Sequence, residues 1–335
     1  MATTILGLDI GGANLKAATP DKRAVSVPFP LWKHPDKLPA ALAELVARFP
    51  DAGGLAVTMT GELCDCFETK REGVYAIIKA VRFASAARPI RVWSTDGAFL
   101  SCEEANAHHA RVAAANWHAL ATFAGRFAPH YGGVLLDIGS TTTDIIPLND
   151  GWPSARGNTD RDRLQTRELV YAGVRRTPVC AIWSDGTCAE LFATTEDVYT
   201  LLGLLPEAPD DRGTADGRPQ TTEYAFARLA RMLGGDREQL SDDHIIHFAT
   251  RVHSELRRRL VESCRAAYYA RQGAPELRTV IVSGAGEFLA RQVASDAFPF
   301  VSPERVVSVN TELGPAVSAC APAHAVAVLA AEQRT

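Results

Sequence analysis

The apolar and polar positions of this chain form one pattern twice, once at the start and once near the middle. In each copy an apolar run continues into Asp-Ile-Gly, a short polar turn and a second apolar run, over residues 5–20 and 134–151. Apolar strands on both sides of a tight turn predict a β-hairpin, whereas a strand followed by a helix would show a helical period after the glycine. We therefore predict two related hairpins, one in each half.

The segments between the hairpins predict a mixture of helices and strands. Four stretches have a clear pattern, namely 38–49 and 102–127 (helical, the second rich in alanine) and 53–63 and 88–99 (strand and turn). The sequence PHYGG at 129–133 breaks the helical pattern just before the second hairpin. We therefore predict two domains, 1–131 and 132–335.

The second half has a less regular pattern after its hairpin. Residues 166–182 predict strand and turn, helical patterns continue to Ala270, and 277–294 predict a strand, a glycine turn and a helix. The stretch 205–224 is rich in Pro, Gly and Asp, which predicts an exposed loop or a lid.

Composition excludes several classes of function. The 335 residues carry a net charge of −4, so there is no basic excess to attract nucleic acid. No stretch offers the ~18 uncharged apolar residues of a membrane helix, and Met1 leads into the first strand without a signal-peptide pattern. The seven cysteines lack C-x-x-C spacing, which favours reduced thiols over a zinc site. We expect a cytoplasmic protein that binds neither nucleic acid nor membrane.

The second hairpin carries more polar side chains than a buried strand tolerates. Asp137 and the hydroxyls of residues 140–143 interrupt its apolar run. Each buried polar group costs a few kcal/mol unless it is paired, so we infer a partner outside the strand. Both glycine turns continue into strands, which excludes the helix-opening glycine motifs of dinucleotide and P-loop sites. The amides of such turns can still bind an anion.

The two Asp-x-Gly hairpins, followed by a strand, a Gly-x-Gly turn and a helix, resemble the actin, hexokinase and Hsp70 ATPase superfamily. The resemblance implies an α/β fold in which two RNase H-like (actin-like ATPase) domains face each other across a phosphate-binding cleft. The phosphate contacts that it implies are Gly11, Gly12, Asn14, Gly139, Ser140, Thr141, Thr142 and Thr143. Residues 283–286 resemble the adenosine-side motif, which would bring Gly284 and Gly286 to the substrate.

Longer stretches resemble the hydantoinase A/oxoprolinase family, and within it the branch that acts in methanofuran biosynthesis. These stretches are VTMTGEL, KREGV, NWHALA, RELVYAGVRRTPV, TADGRP and VSGAGEFL, and the similarity extends from Ile5 to about Leu329. The resemblance implies a transferase that joins the phenol of a γ-glutamyltyramine-like amine to an aminomethylfuran-methanol diphosphate, forming an ether and releasing diphosphate. Bacteria with such a protein are associated with one-carbon transfer linked to tetrahydromethanopterin.

The same resemblance implies catalytic roles. Asp9 and Asp137 would hold Mg²⁺, through water because this ion dehydrates reluctantly, and Lys16 would neutralise charge on the departing diphosphate. A phenol with a pKa of about 10 needs a base. Glu62 and Asp137 are the candidates, and Glu62 is expected at a loop tip because it follows a strand.

Two arginines are candidates for substrate binding. Arg176 lies in GVRRTPV and Arg218 in DGRP. A guanidinium fork fits either a carboxylate or a diphosphate, so each would bind one of these substrate groups.

Other functions stay open beside this transferase. An ATP-dependent hydrolase like the larger hydantoinase and oxoprolinase subunits fits the fold, although those subunits are usually much longer, and so does a sugar-kinase-like ATPase. A non-catalytic, nucleotide-switched protein is the third class, but a repressor of this kind would need a DNA-binding extension ahead of Asp9. The leading interpretation does not require ATP, although the fold is compatible with it. A homodimer is one option for the oligomeric state.

Overall fold

Both hairpins exist, and each begins a mixed β-sheet in the computed structural model, which describes residues 4–271 and 273–333. The strands of the first sheet are β1 (Thr4–Ile10), β2 (Asn14–Ala18), β3 (Ala24–Pro28), β4 (Ala52–Met59), β5 (Ile90–Trp93) and β6 (Phe99–Leu100). The strands of the second sheet are β7 (Gly132–Ile138), β8 (Thr143–Asn149), β9 (Trp152–Pro153), β10 (Leu169–Val170), β11 (Leu277–Ser283) and β12 (Val306–Ser308).

The two sheets share one topology. In the first the order is β3-β2-β1-β4-β5-β6, with β2 antiparallel to both neighbours and β1, β4 and β5 parallel. The second repeats this order as β10-β8-β7-β11-β12, with β9 added beside β8. Three antiparallel strands joined to two parallel ones in this order form the RNase H-like arrangement. The predicted α/β fold with two RNase H-like halves is therefore confirmed.

Helices cover the faces of these sheets. Those of the first half are α1 (Leu38–Ala47), α2 (Lys70–Ala84), α3 (Cys102–Ala107), α4 (His109–Val112) and α5 (Asn116–Ala124). Those of the second half are α6 (Asp160–Thr166), α7 (Val179–Ile182), α8 (Thr195–Leu201), α9 (Thr222–Met232), α10 (Asp242–Tyr269), α11 (Glu287–Ala297), α12 (Val309–Leu313), α13 (Pro315–Ser318) and α14 (Ala321–Glu332). Short 3₁₀ helices cover Pro35–Lys37, Gly61–Leu63, Gly125–Phe127 and Pro303–Arg305. Within the described ranges, no helix has both the length and the apolar character to cross a membrane.

Two stretches differ from the sequence expectation. The alanine-rich stretch 102–127 is helical in separate pieces, because α4 ends where the Thr95 amide binds the Arg111 carbonyl and Ala114 takes a φ of 49°. The stretch 166–182 contains little strand beyond β10, and its end is the helix α7. The segment between β10 and α7 does not form a strand, because its backbone amides bind the turn of the second hairpin. The Val174 amide, for example, donates to the Gly139 carbonyl at 3.1 Å.

The last helix returns to the first sheet. Helix α14 packs on β1, where a β-carbon on Gly7 would lie 1.8 Å from the Ala323 carbonyl oxygen, so only glycine permits this approach. One buried apolar cluster joins α5 and α14 to strands of both sheets. The division into domains 1–131 and 132–335 stays a prediction, and α14 ties the two ends of the chain together across it.

Candidate active site

The first hairpin places an acid opposite a base. Asp9 on β1 pairs with Lys16 on β2, so both side chains project from one face, and the turn between them is closed by the Gly11 amide on the Asn14 carbonyl at 3.0 Å. Asp9 is 5% exposed, and burial raises the pKa of its carboxyl while Lys16 opposes the rise. Thr58 stands beside Asp9 on β4.

The second hairpin repeats this backbone with a different partner. Asp137 on β7 pairs with Asp144 on β8, and the Gly139 amide closes the turn on the Thr142 carbonyl at 2.8 Å. Ser283 on β11 stands beside Asp137, as Thr58 stands beside Asp9. Burial, with Asp144 adding to it, raises the pKa of Asp137 to about 6.

The strand-end acids of the two hairpins lie close together. Both Lys16 and Asp9 act on the pKa of Asp137 across the cleft. Two buried side-chain oxygens at this point, Asp9 Oδ1 and Thr58 Oγ1, have no hydrogen-bond partner in the described part of the chain. The Ser283 hydroxyl faces the Asp137 carboxyl and lowers its pKa against the larger effect of burial. Buried polar atoms are almost always paired, so this cluster is arranged for a ligand.

The donor set fits a hydrated hard cation. Carboxylate and hydroxyl oxygens are the ligands that Mg²⁺ takes, and this ion commonly uses one or two carboxylates together with substrate phosphates and water. Over residues 4–271 and 273–333 no group of three or more His, Cys, Asp or Glu could hold a metal ion by itself. Asp9 and Asp137 therefore suit an ion that brings its remaining ligands with it.

The hydroxyl run of the second turn divides into two parts. Ser140, Thr141 and Thr142 are partly exposed at the turn, with the Ser140 and Thr141 hydroxyls 3.4 Å apart. Thr143 is fully buried and donates its hydroxyl to the Ala172 carbonyl at 2.8 Å. Thr143 was expected among the phosphate contacts, but its hydroxyl instead fastens the hairpin to the following loop.

Arg176 lies where the two turns approach. The Arg176 amide donates to the Ser140 carbonyl at 2.9 Å, which anchors it to the second turn. Its guanidinium lies 5.1 Å from the centre of the Trp32 ring. Trp32 follows Leu31, whose amide donates to the Gly12 carbonyl of the first turn at 2.9 Å. This contact therefore links the tips of both hairpins.

Glu62 lies inside the protein, and the expectation of a loop tip was wrong. It belongs to the 3₁₀ helix Gly61–Leu63 after β4 and is 1% exposed. Helix α2 packs so closely on it that a β-carbon on Gly73 would lie 2.3 Å from its carbonyl oxygen. Burial raises the pKa of Glu62 to about 7, and Lys70 opposes the rise. A carboxyl with a pKa near neutrality suits a general base.

Gly284 and Gly286 pack against the second hairpin. Gly284 has a φ of 90°, and a β-carbon there would lie 2.3 Å from the Ile138 carbonyl oxygen and 2.6 Å from Asp137 Oδ1. The Gly286 amide donates to the Ile138 carbonyl at 2.8 Å. The predicted contact of these glycines with substrate stays a prediction, and the structure gives them the task of holding the end of β7.

Arg218 is separate from this cluster. It is exposed and lies near Asp216 and the Tyr224 ring, and none of its described hydrogen bonds or ring contacts reaches either hairpin. The loop 205–224 around it is fastened because buried Arg228 pairs with Asp216 at 3.0 Å. The same guanidinium pairs with Asp197 of α8 at 2.7 Å. If this loop moves as a lid, Asp216 must either separate from Arg228 or move together with it.

Sequence reasoning missed Thr58, Trp32 and Asp144 as neighbours of the site. Asp144 could have been found by aligning the two strands of the second hairpin, since register partners share a face. Thr58 lies on β4, outside the hairpin, and only the parallel pairing of β4 with β1 brings it beside Asp9. Trp32 carried no such signal because it follows the hairpin in an irregular segment.

Comparison with known proteins gives close similarities in sequence. The family model described as hydantoinase/oxoprolinase matches residues 54–333. The (4-{4-[2-(gamma-L-glutamylamino)ethyl]phenoxymethyl}furan-2-yl)methanamine synthase of Methanocaldococcus jannaschii is 35% identical over 348 residues, covering 99% of each chain. A protein of the same name from Methanococcus vannielii is 29% identical over 204 residues, covering 58% of this chain and 89% of the relative.

Solved structures share the fold at low sequence identity. Nucleotide-free acetone carboxylase superposes with a TM-score of 0.55 and 12% identity, covering 96% of this chain and 70% of that chain. The PilM-PilN type IV pilus biogenesis complex gives a TM-score of 0.51 and 16% identity, covering 97% of both chains. At these identities the likeness concerns the fold alone.

Proposed function

Because this chain belongs to the hydantoinase/oxoprolinase family, we propose that its cleft joins a phenol to an activated furanylmethyl carbon and releases diphosphate. The phenol is that of a γ-glutamyltyramine-like amine, and the furan is an aminomethylfuran-methanol diphosphate. The name of the full-length relative describes a phenoxymethylfuran. Such a product requires an aryl ether bond, and hence a leaving group on the furanylmethyl carbon.

One observation of the site carries the proposal. The two Asp-x-Gly turns bring Lys16, the turn amides and the buried carboxyls of Asp9 and Asp137 to one point, and Asp9 Oδ1 has no partner among the described residues. Turn amides and an ammonium bind phosphoryl oxygens, and unpaired carboxylates bind the cation that accompanies them. A diphosphate leaving group matches this arrangement.

The residues then divide the reaction between them. Glu62 accepts the phenolic proton, and the phenolic oxygen forms a bond to the furanylmethyl carbon. The bond from that carbon to diphosphate breaks, and the electron pair leaves with diphosphate. Lys16 and the turn amides stabilise the growing negative charge where it appears. Magnesium, held by Asp9 and Asp137, would supply further charge neutralisation on the diphosphate when bound.

The aromatic part of a substrate has a binding surface beside the diphosphate. Trp32 is 36% exposed beside the first turn, with the Arg176 guanidinium over its ring. Aromatic rings stack on such a surface, and the furan is one carbon away from the diphosphate. We assign Trp32 and Arg176 to the ring and the adjoining phosphate.

The cellular setting follows from the same proposal. We propose that the protein acts in the cytoplasm, in methanofuran-type cofactor synthesis linked to tetrahydromethanopterin, and that it does not consume ATP. The seven cysteines are unpaired, which supports a reducing compartment.

The test is a reconstituted reaction. Purified protein is incubated with Mg²⁺, γ-glutamyltyramine and an aminomethylfuran-methanol diphosphate, and the ether is measured by mass spectrometry beside released diphosphate. We expect ether and diphosphate in equal amounts, no requirement for ATP, and competitive inhibition by magnesium diphosphate against the furan substrate. Formation of ADP and phosphate in step with product would overturn the proposal in favour of the ATP-dependent hydrolase class.

A further inference from the structure

Three charged side chains form a cluster beside the first hairpin, two from the first half of the chain and one from the second. Glu62 follows β4, Lys70 begins α2 and Asp160 begins α6. The Lys70 ammonium lies 3.0 Å from Asp160 Oδ2 and 3.9 Å from Glu62 Oε1. The Lys70 ammonium is therefore shared by two carboxylates, and it lies closer to Asp160, which belongs to the other half of the chain.

The three members of this cluster differ in their access to water. The side chain of Glu62 is 1% exposed, whereas those of Lys70 and Asp160 are 33% and 20% exposed. Glu62 Oε2 is buried and has no hydrogen-bond partner among the described residues. A buried carboxylate depends strongly on the nearest charge, because little water is present to screen it.

We propose that Lys70 and Asp160 are positioning residues for Glu62: their ion pair joins the two halves beside the buried carboxylate and keeps the Lys70 ammonium from pairing fully with it. The inference rests on the proposed role of Glu62 as the base. Any widening of the cleft at this edge separates Asp160 from Lys70, and the ammonium is then left to Glu62. The carboxylate accepts a proton well only while the halves are together.

The electrostatics agree with this geometry. Burial raises the pKa of Glu62, Lys70 lowers it and Asp160 raises it. Hydrogen bonds from the backbone amides of Glu62 and Ala114 also lower the pKa, and the Cys64 thiol is a further titratable neighbour. Removing Asp160 should therefore lower the pKa of Glu62, and removing Lys70 should raise it.

Opposite shifts are the test, because a merely structural ion pair would give the same effect from either side. The carboxyl of Glu62 is titrated without substrate by infrared difference spectroscopy, subtracting Glu62→Gln in each background. We expect Asp160→Asn to move the titration to lower pH and Lys70→Met to higher pH, each by about one unit. The double variant should lie between them. Asp296→Asn, which breaks the partly exposed ion pair of Asp296 with Arg257, is the matched control and should not move it.

The kinetic measurement separates this inference from the proposed function. With both substrates, the acid limb of kcat/KM should follow the two titrations in opposite directions, and Asp160→Asn should have a lower plateau because its base is weaker. Shifts in the same direction, or none, would overturn the inference even if the transferase is active. Opposite infrared shifts in a protein without transferase activity would support the positioning role and reject the proposed reaction.

Discussion

In the first hairpin a lysine stands opposite the strand-end aspartate, and in the second another aspartate stands there: Lys16 pairs with Asp9, and Asp144 with Asp137. Lys16 forms no salt bridge with any described residue, so its charge is available to a ligand. Asp144 is instead bound by Arg163 at 2.6 Å. One backbone arrangement therefore supplies a free cation in the first half and a neutralised acid in the second.

The difference shows what each hairpin contributes. Arg163 is 1% exposed and lies 4.1 Å from the centre of the Trp117 ring, so the ion pair of the second hairpin is part of the core. A buried ion pair of this kind costs several kcal/mol when one partner is removed. At this position the second hairpin contributes a buried ion pair that stabilises the fold, whereas the first contributes a positive charge that faces the cleft.

The largest expected effect comes from the strand-end aspartate that both hairpins carry. Asp9→Asn and Asp137→Asn should each reduce ether formation about 10²–10³-fold, because each removes a charge that acts directly on the diphosphate end. Thermal melting should show that both variants are folded. Turnover at the wild-type rate in either variant would contradict the site assignment.

The next two variants separate loss of turnover from loss of stability. Lys16→Met should reduce turnover about 10²–10³-fold and change the free energy of unfolding by about 1 kcal/mol or less. Arg163→Met should cost about 3–5 kcal/mol, because it leaves Asp144 buried without a partner. Denaturant unfolding and steady-state kinetics of both variants check this contrast. Similar losses of stability in the two variants would contradict the different roles of Lys16 and Arg163.

A smaller effect is expected where the glycine turn meets the second hairpin. Gly284→Ala should cost about 2–3 kcal/mol and reduce turnover, because its β-carbon would push on Ile138 and Asp137. Gly186→Ala is the control, since Gly186 also has a positive φ of 66° but no atom within 4 Å of its β-carbon position. Equal losses of stability with unchanged turnover would show that Asp137 does not depend on this contact.

A further effect is a change in the pH dependence of stability. The pKa of Asp137 is raised to about 6 in the folded protein against about 3.9 unfolded, so the stabilisation it gives is complete below about pH 4 and is lost as the pH rises through 6. Above pH 7, Asp137→Asn should exceed the wild type by roughly 2–3 kcal/mol in free energy of unfolding, with the difference vanishing near pH 4. Denaturant unfolding between these values tests it, and a constant difference would contradict the raised pKa.

An exposed acid provides the opposite trend as a control. The pKa of Asp51 is lowered because Arg23 binds its carboxylate. Its contribution to stability is therefore present at neutral pH and is lost as the pH falls. The Asp51→Asn variant should accordingly differ from the wild type less at acid pH than at neutral pH.

The elements that were predicted well are those with a local signal. Each hairpin was marked by an apolar run on both sides of a glycine turn, and 277–294 by the same change of period that separates β11 from α11. The break at Ala114 had no such signal, because it follows from the Thr95 amide binding Arg111 across the fold. Alanine content predicts a helix whether or not a distant donor ends it.

The two hairpins, their strand-end acids and the family could be predicted from the sequence, because period, turn residues and motifs are local properties of the chain. The packing of distant segments placed Glu62 in the interior beside Lys70 and Asp160, turned Thr143 inward, and set Arg176 against Trp32 and Arg218 beside Tyr224. These outcomes depend on which segments pack together across the fold. Burial and the nearest charge then set the pKa and availability of each side chain, and neither can be read from its neighbours in sequence.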